Sequence, residues 1–265
     1  LEPALWVGVN GALALHLVWD IPLYPINHME GHIVASTLSL TDGIYEMPEI
    51  SLPSCALLIS GGHTEIVRIS KQRSYKVIGK TRDDAVGEAF DKAARMLSLP
   101  YPGGPEISRL AELARKEGLV VDEDLRLPRP MLHSGDLSTS FSGLKTAVLI
   151  RTKKRAPLDT ETIKMLALEF ENAVTDVLVT KVKQAIYETR AKSLIVGGGV
   201  SANTHIRSAL TILAEQEGFE LFIPEKTLST DNGLMIAATG LLHISLGVDP
   251  KVKIKASGSW SIEDC

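Results

Sequence analysis

The chain has 265 residues, 45% of them hydrophobic and 23% charged, with a formal net charge of −4. That length allows one large domain or two lobes, and the charge balance excludes a uniformly basic nucleic-acid binder while leaving local basic patches open. No apolar run reaches the roughly eighteen residues of a spanning helix, and two cysteines, Cys55 and Cys265, make no disulfide framework, which fits a reducing, cytoplasmic setting.

Leu5, Val9, Ala12, Leu13 and Leu17 recur at helical spacing and predict a helix over 4–19, with Pro3 in its first turn. The opening has no basic lead-in and does not read as a signal peptide. A short strand is expected at 23–26, then Asn27-His28-Met29-Glu30-Gly31-His32 and a helix over 29–40. On that helix His28 and His32 share one face, with Cβ atoms about 5–6 Å apart. The spacing suits two nitrogens on one divalent metal. It is not the zinc-protease signature, because Glu30 follows His28 by two positions rather than one. Histidines at helical spacing also arise by chance, so the pair alone leaves both readings open. Residues 41–53 read as a polar, proline-bearing link and a lobe boundary.

Cys55-Ala56-Leu57-Leu58-Ile59 is a buried strand that breaks into Ser60-Gly61-Gly62-His63-Thr64. Such a turn can present backbone amides to phosphate or carboxylate oxygens, or be a plain hairpin turn. Residues 65–69 and 75–78 alternate like paired strands. Asp83 and Asp84 are expected to cap a helix running to about Leu97, on which Glu88 and Asp91 share a face. Paired carboxylates can orient a hydroxyl or act as a base, and can equally be solvated helix charges. Tyr101-Pro102-Gly103-Gly104-Pro105 turns into a helix over 105–117. Residues 118–140 show no clear pattern. Ser140-Phe141-Ser142-Gly143-Leu144-Lys145-Thr146 enters a helix that ends in Arg151, Lys153, Lys154 and Arg155, a cluster suited either to RNA phosphates or to a solvated helix end.

A long amphipathic helix over 159–189 precedes the buried strand 193–196, which opens into Gly197-Gly198-Gly199-Val200-Ser201-Ala202-Asn203 and a helix to about Gln216. Glycines there let the backbone approach a ligand, and the helix N-terminus favours an anion. The spacing is neither the dinucleotide fingerprint nor a Walker loop. A strand over 219–223 follows. Ser229-Thr230-Asp231-Asn232 then leads into a helix over 233–246, where Asp231 reads as an N-cap.

In this order and spacing the motifs resemble the universal tRNA threonylcarbamoyladenosine synthases, the TsaD group of the actin-like ATPase superfamily. The resemblance rests on the histidine stretch, the Ser60–Thr64 turn, Asp91-Lys92, Tyr101–Pro105, Ser140–Lys145, Gly198–Asn203 and Thr230-Asp231-Asn232, and covers essentially the whole chain. It implies an α/β, actin-like (ASKHA) fold of two lobes, each a mixed sheet flanked by helices, with the first lobe incomplete. The implied division is 1–50 for the remainder of the N-terminal lobe, 51–247 for the C-terminal lobe with the nucleotide and metal site at the cleft, and 248–265 for a tail. It further implies that His28, His32 and Asp231 hold one divalent metal, iron or zinc. Leu58, Ile59, Ser60, Gly61 and Gly62 match a phosphate and carbonyl cradle. Asp91 and Gly104 match ribose-binding positions, and Asn203 a nucleotide contact.

The implied reaction is transfer of a threonylcarbamoyl group from threonylcarbamoyl-AMP to the adenosine beside the anticodon of tRNAs reading ANN codons. No general base is identified, and Glu88 is a guess from geometry. In bacteria the family works with a paralogous scaffold subunit and a small ATPase, and no membrane association is implied. Family members also carry part of an actin-like lobe before the position of Leu1, which implies unpaired strand edges and an unstable, inactive chain in isolation. Other readings are a metallopeptidase, which lacks its base here, a non-catalytic scaffold of the same complex, and a small-molecule kinase or carbamoyltransferase.

Overall fold

Two apolar stretches without alternation form the middle of the sheet, as expected of strands covered on both faces. A computed structural model, describing residues 2–251 and 254–265, places every side chain of Ser54–Ile59 and Ser193–Gly197 in the interior. In chain order the helices are α1 (Glu2–Trp19), α2 (His28–Thr37), α3 (Val86–Met96), α4 (Gly103–Lys116), α5 (Ser142–Lys154), α6 (Thr160–Thr189), α7 (Thr204–Glu217) and α8 (Gly233–Ser245). The strands are β1 (Ser39–Thr41), β2 (Ile44–Glu46), β3 (Ser54–Ile59), β4 (Thr64–Lys71), β5 (Ser74–Lys80), β6 (Ser193–Gly197) and β7 (Glu220–Phe222).

The chain is a mixed α/β protein whose main sheet has the order β5-β4-β3-β6-β7. β3, β4 and β5 form an antiparallel meander, whereas β6 runs parallel to β3 and β7 parallel to β6. Leu57, Ile59, Leu194 and Val196 point to the face covered by α3 and α6, where the Phe90 and Phe170 rings meet edge to face at 5.1 Å. Ala56, Leu58 and Ile195 point the other way, onto Met29 and Ile33 of α2 and Ile262 near the C-terminus. Each fully buried leucine or isoleucine in these layers contributes roughly 1.5–3 kcal/mol. The histidine helix is thus seated directly on the sheet. No helix among the described residues is long and apolar enough to cross a membrane.

Several expected elements differ. Residues 23–26 form no strand, because Pro22 and Pro25 remove the amides a ladder needs. The link at 41–53 holds the second strand of a small exposed hairpin, with Ser39 opposite Glu46, so the preceding helix stops at Thr37 rather than at 40. Asp83 and Asp84 do not cap α3. The Thr64 hydroxyl accepts from the Val86 amide at the start of α3 instead. Asp83 reaches the start of α5, accepting from the Phe141 and Ser142 amides at 2.8 and 3.2 Å. Asp84 binds Lys92 and Lys145. The cause is tertiary: Thr81 bridges to Thr139, which lays residues 81–85 against the entry to α5.

Burial works to raise the Asp83 carboxyl, but the Ser140 and Ser142 hydroxyls and the two amides outweigh it and hold it below the usual carboxylate range. A depressed folded pKa stabilises above the unfolded value and is lost as pH falls through the folded one. Asp83→Ala is therefore expected to cost about 1 kcal/mol at neutral pH, a capping-sized effect limited by solvent screening. Urea unfolding of both proteins checks this, and the gap should shrink as the pH is taken below the carboxylate range.

Candidate metal and nucleotide site

Asn27 starts α2, its side chain accepting from the Met29 and Glu30 amides, and its own amide donates to the carbonyls of Trp260 and Ser261. That cap aims His28 and His32 at the loop before α8. Asp231 Oδ1 lies 3.2 Å from Nε2 of each histidine, and the rings sit edge to face at 4.8 Å. The three ligand atoms all lie within 4.8 Å of one another. Ligands on one ion with bonds of about 2.0–2.1 Å stand at most about 4.2 Å apart, so closing on a metal asks only a small inward shift of these side chains. His32 is buried, and desolvation, helped by His28 and opposed by Asp231, pushes its imidazole below the usual value, so its lone pair is available. Two imidazoles and a carboxylate fit a divalent metal and leave coordination positions for other oxygens. Asp231 is free for this because Asn232, not Asp231, caps α8 by accepting from the Met235 amide.

Gly61, Asp91, Gly104 and Asn203 all line one cavity of about 350 Å³. Its walls come from the ends of β3 and β6 and the starts of α3, α4 and α7. Gly198, with φ of +92°, turns the chain there, and a Cβ on it would stand 2.5 Å from the Ile59 carbonyl oxygen. Gly87 lets α3 touch the other turn: its amide donates to the Ser60 carbonyl, and a Cβ would stand 2.7 Å from that oxygen. Asp91 Oδ1 accepts from the Gly103 amide at 2.8 Å, which orients the carboxylate at the cavity wall.

The remaining expected contacts lie elsewhere. Leu58 and Ile59 are wholly buried and face opposite layers, where they support the turn. Ser60 Oγ accepts from the Gly62 and His63 amides, which leaves Gly61 as the turn's amide without such a partner. Asn203 Oδ1 caps α7, and its Nδ2 donates to Ser108 Oγ and Glu171 Oε1, each at 2.7 Å. Both of its amide hydrogens are spent inside the protein. Glu88 pairs with Lys92 at 2.6 Å. At the basic end of α5, Arg155 is held by Asp122 and Asp124 and Arg151 donates to the Arg126 carbonyl, while Lys153 and Lys154 remain exposed.

A second cavity, of about 660 Å³, has His28, His63 and Asp231 in its wall together with Tyr24 and Trp260. The Ser60–His63 turn stands between the two cavities, Gly61 on one and His63 on the other. Sequence reasoning missed Gly87, Ser108 and Glu171. A glycine in the first turn of an amphipathic helix was a visible sign of close approach. Nothing local marked Glu171, which lies in the middle of α6, is buried, and takes both Asn203 and Arg115.

The model of a family described as "TsaD: tRNA N6-adenosine threonylcarbamoyltransferase" matches residues 1–238. The tRNA N6-adenosine threonylcarbamoyltransferase of Burkholderia mallei is 48% identical over 257 residues, covering 92% of this chain and 69% of that protein. Those of Burkholderia ambifaria and Burkholderia thailandensis are each 47% identical, over 92% of this chain and 68% and 69% of their own lengths.

Gly87→Ala is expected to force α3 off the turn, lowering stability by about 1–3 kcal/mol and weakening adenine-nucleotide binding. Gly240→Ala, in α8 away from the cavity lining and with a Cβ that would meet nothing within 4 Å, is the matched control and should leave nucleotide affinity unchanged. Thermal melts and calorimetric titration with AMP compare the two.

Proposed function

The chain belongs to the tRNA N6-adenosine threonylcarbamoyltransferase family, and from that premise we propose how its residues carry out the transfer. The donor is threonylcarbamoyl-AMP, and the acceptor is the exocyclic amine of the adenosine next to the anticodon in tRNAs reading ANN codons. The observation that supports placing the reaction here is the adjacency of the His28, His32 and Asp231 trio to a glycine-walled cavity across a single turn.

In this reading the nucleotide half of the donor occupies the smaller cavity. Asp91, oriented by the Gly103 amide, accepts a ribose hydroxyl, and Gly104 gives the ribose room beside α4. Asn203 holds the start of α7 and meets the nucleotide as part of the cavity wall. Leu58, Ile59, Ser60 and Gly62 shape the turn, the Gly62 amide being held by Ser60 Oγ, while Gly61 turns its own amide to the reacting carbonyl, where a preorganised donor stabilises developing negative charge. His28, His32 and Asp231 would hold one divalent ion, iron or zinc in the family, which when bound supplies Lewis-acid polarisation of substrate oxygens. The amine nitrogen bonds to the carbamoyl carbon, the bond from that carbon to the phosphate oxygen breaks, AMP departs with the electron pair, and the amine proton passes to solvent. The acceptor base lies in a single-stranded loop, so presenting it breaks no duplex.

The wider frame is part of the same proposal: a two-lobed actin-like protein, with 1–50 the remainder of the first lobe, 51–247 the second and 248–265 a tail. As partners of a bacterial chain, the proposal takes a paralogous scaffold subunit and a small ATPase, as the family resemblance implies. The scaffold alternative has no use for three converging ligand atoms, and this chain keeps them.

Metal content and single-turnover transfer, measured together on the chain in its natural reading frame, test this. Wild type is expected to carry one metal equivalent and to modify unmodified tRNA from threonylcarbamoyl-AMP. Asp231→Ala should lose both. Metal retained with no transfer, even with partner subunits present, would sink the catalytic reading.

A further inference from the structure

Glu30 sits between the two histidines in sequence, but the helix turns it to the opposite side, into the interior. Its carboxylate is 0% exposed, and each oxygen has its own partner. Oε1 accepts from the Tyr75 hydroxyl at 3.0 Å, and Oε2 meets His243 Nε2 at 2.9 Å. Arg73 Nε stands 3.8 Å from Oε1, close enough to help neutralise it but too far for a hydrogen bond. Burial first, and then the Glu30 carboxylate, push the Tyr75 hydroxyl above its usual range, so it remains a donor.

A buried carboxylate costs several kcal/mol unless paired and hydrogen-bonded. An apolar side chain would seat α2 on the sheet without that cost, and the transfer chemistry makes no use of Glu30. What the carboxylate does uniquely is reach α8. His243 lies in the last turn of α8, and Asp231 lies just before its first. At the other end of α8, Gly31 lets the two helices touch: a Cβ there would stand 3.3 Å from Ile236 Cδ1 and 3.4 Å from Met235 Cγ. The adjacent residues Glu30 and Gly31 therefore hold α2 to two separate places along α8.

Asp231 needs such a frame. It is largely exposed, on a loop, and its carboxylate partners among the described residues are the two imidazoles. Its position relative to His28 and His32 is set by how α8 lies against α2.

We infer that Glu30 and His243 are a positioning pair for the metal centre, a buried link between α2 and α8 that holds His28 and His32 in register with Asp231. This rests on the metal reading above. Neither residue touches substrate or ion. Outer partners of metal ligands that fix their placement change metal affinity about 10- to 100-fold when removed.

The test is a Co²⁺ titration of the metal-free protein, followed by visible d–d absorption, with melting temperature measured in parallel. The parent is expected to bind one Co²⁺. Glu30→Gln and His243→Gln should each weaken Co²⁺ binding about 10- to 100-fold and alter the band shape, and the double variant should be no worse than either single one. Tyr75→Phe, which leaves the α2–α8 link intact, should melt lower but bind Co²⁺ as the parent does. If Glu30→Gln does not fold, His243→Gln carries the test alone. Folded Glu30 or His243 variants with unchanged spectra and affinity within about twofold of the parent, well short of that range, would overturn the pair's role while leaving the metal site standing. A parent that binds no Co²⁺ would overturn the metal reading itself, and the positioning role with it.

Discussion

The parallel pairing of β3 with β6 is the constraint on which the site depends. Their register, with Leu58 opposite Gly197, brings the two strand ends to the same edge of the sheet. The glycine turns that follow, at Ser60–Gly62 and Gly198–Gly199, are far apart in sequence and adjacent in space. A ligand crevice outside the carboxyl ends of parallel strands is the general outcome of such an arrangement. Close packing makes it strict, because the Gly198 backbone leaves no room for a Cβ against Ile59. Breaking the register by one residue would turn the Leu57 and Ile59 side chains to the wrong layer and separate the two turns.

The same sheet seats the two candidate histidine ligands on its other face. α2 lies on β3 and β6 through Met29 and Ile33, so the histidines arrive beside the turns that wall the smaller cavity. The third candidate ligand comes from nearly two hundred residues further on, carried by the loop before α8. The site is thus assembled from three layers, and its tolerances are those of helix–sheet and helix–helix packing. Buried polar groups carry part of this burden. Glu30 links α2 to α8, and Glu171 under Asn203 plays a comparable part at the smaller cavity, since it holds both Asn203 and Arg115.

Charge on the surface is mostly spent locally. Arg155, which by composition belongs to a basic cluster, is bound by two aspartates from the loop before α5, and Lys145 shares Asp84 with Lys92. A run of basic residues in sequence therefore overstates the positive surface offered to RNA. Lys153 and Lys154 are what remains of it.

Local pattern alone determined much of this protein. The unbroken apolar runs at 55–59 and 193–196 marked the central strands, the 3.6-residue rhythm marked the helices, and His28 and His32 one turn apart marked two of the three candidate metal ligands. These are properties of a few neighbouring residues, legible because backbone geometry repeats. Tertiary structure decided the rest. Asp83 looked like a cap for the helix that follows it and instead serves α5, because the sheet edge lays that loop against residue 139. Asp231 read as the N-cap of α8 from its position, and packing gave the cap to Asn232 and left the Asp231 carboxylate for the histidines. Glu30 carried no sign in sequence that its partners would be Tyr75 and His243. Each of those outcomes is a contact between residues tens to hundreds of positions apart, and such contacts are set by how layers pack, which no local spacing encodes.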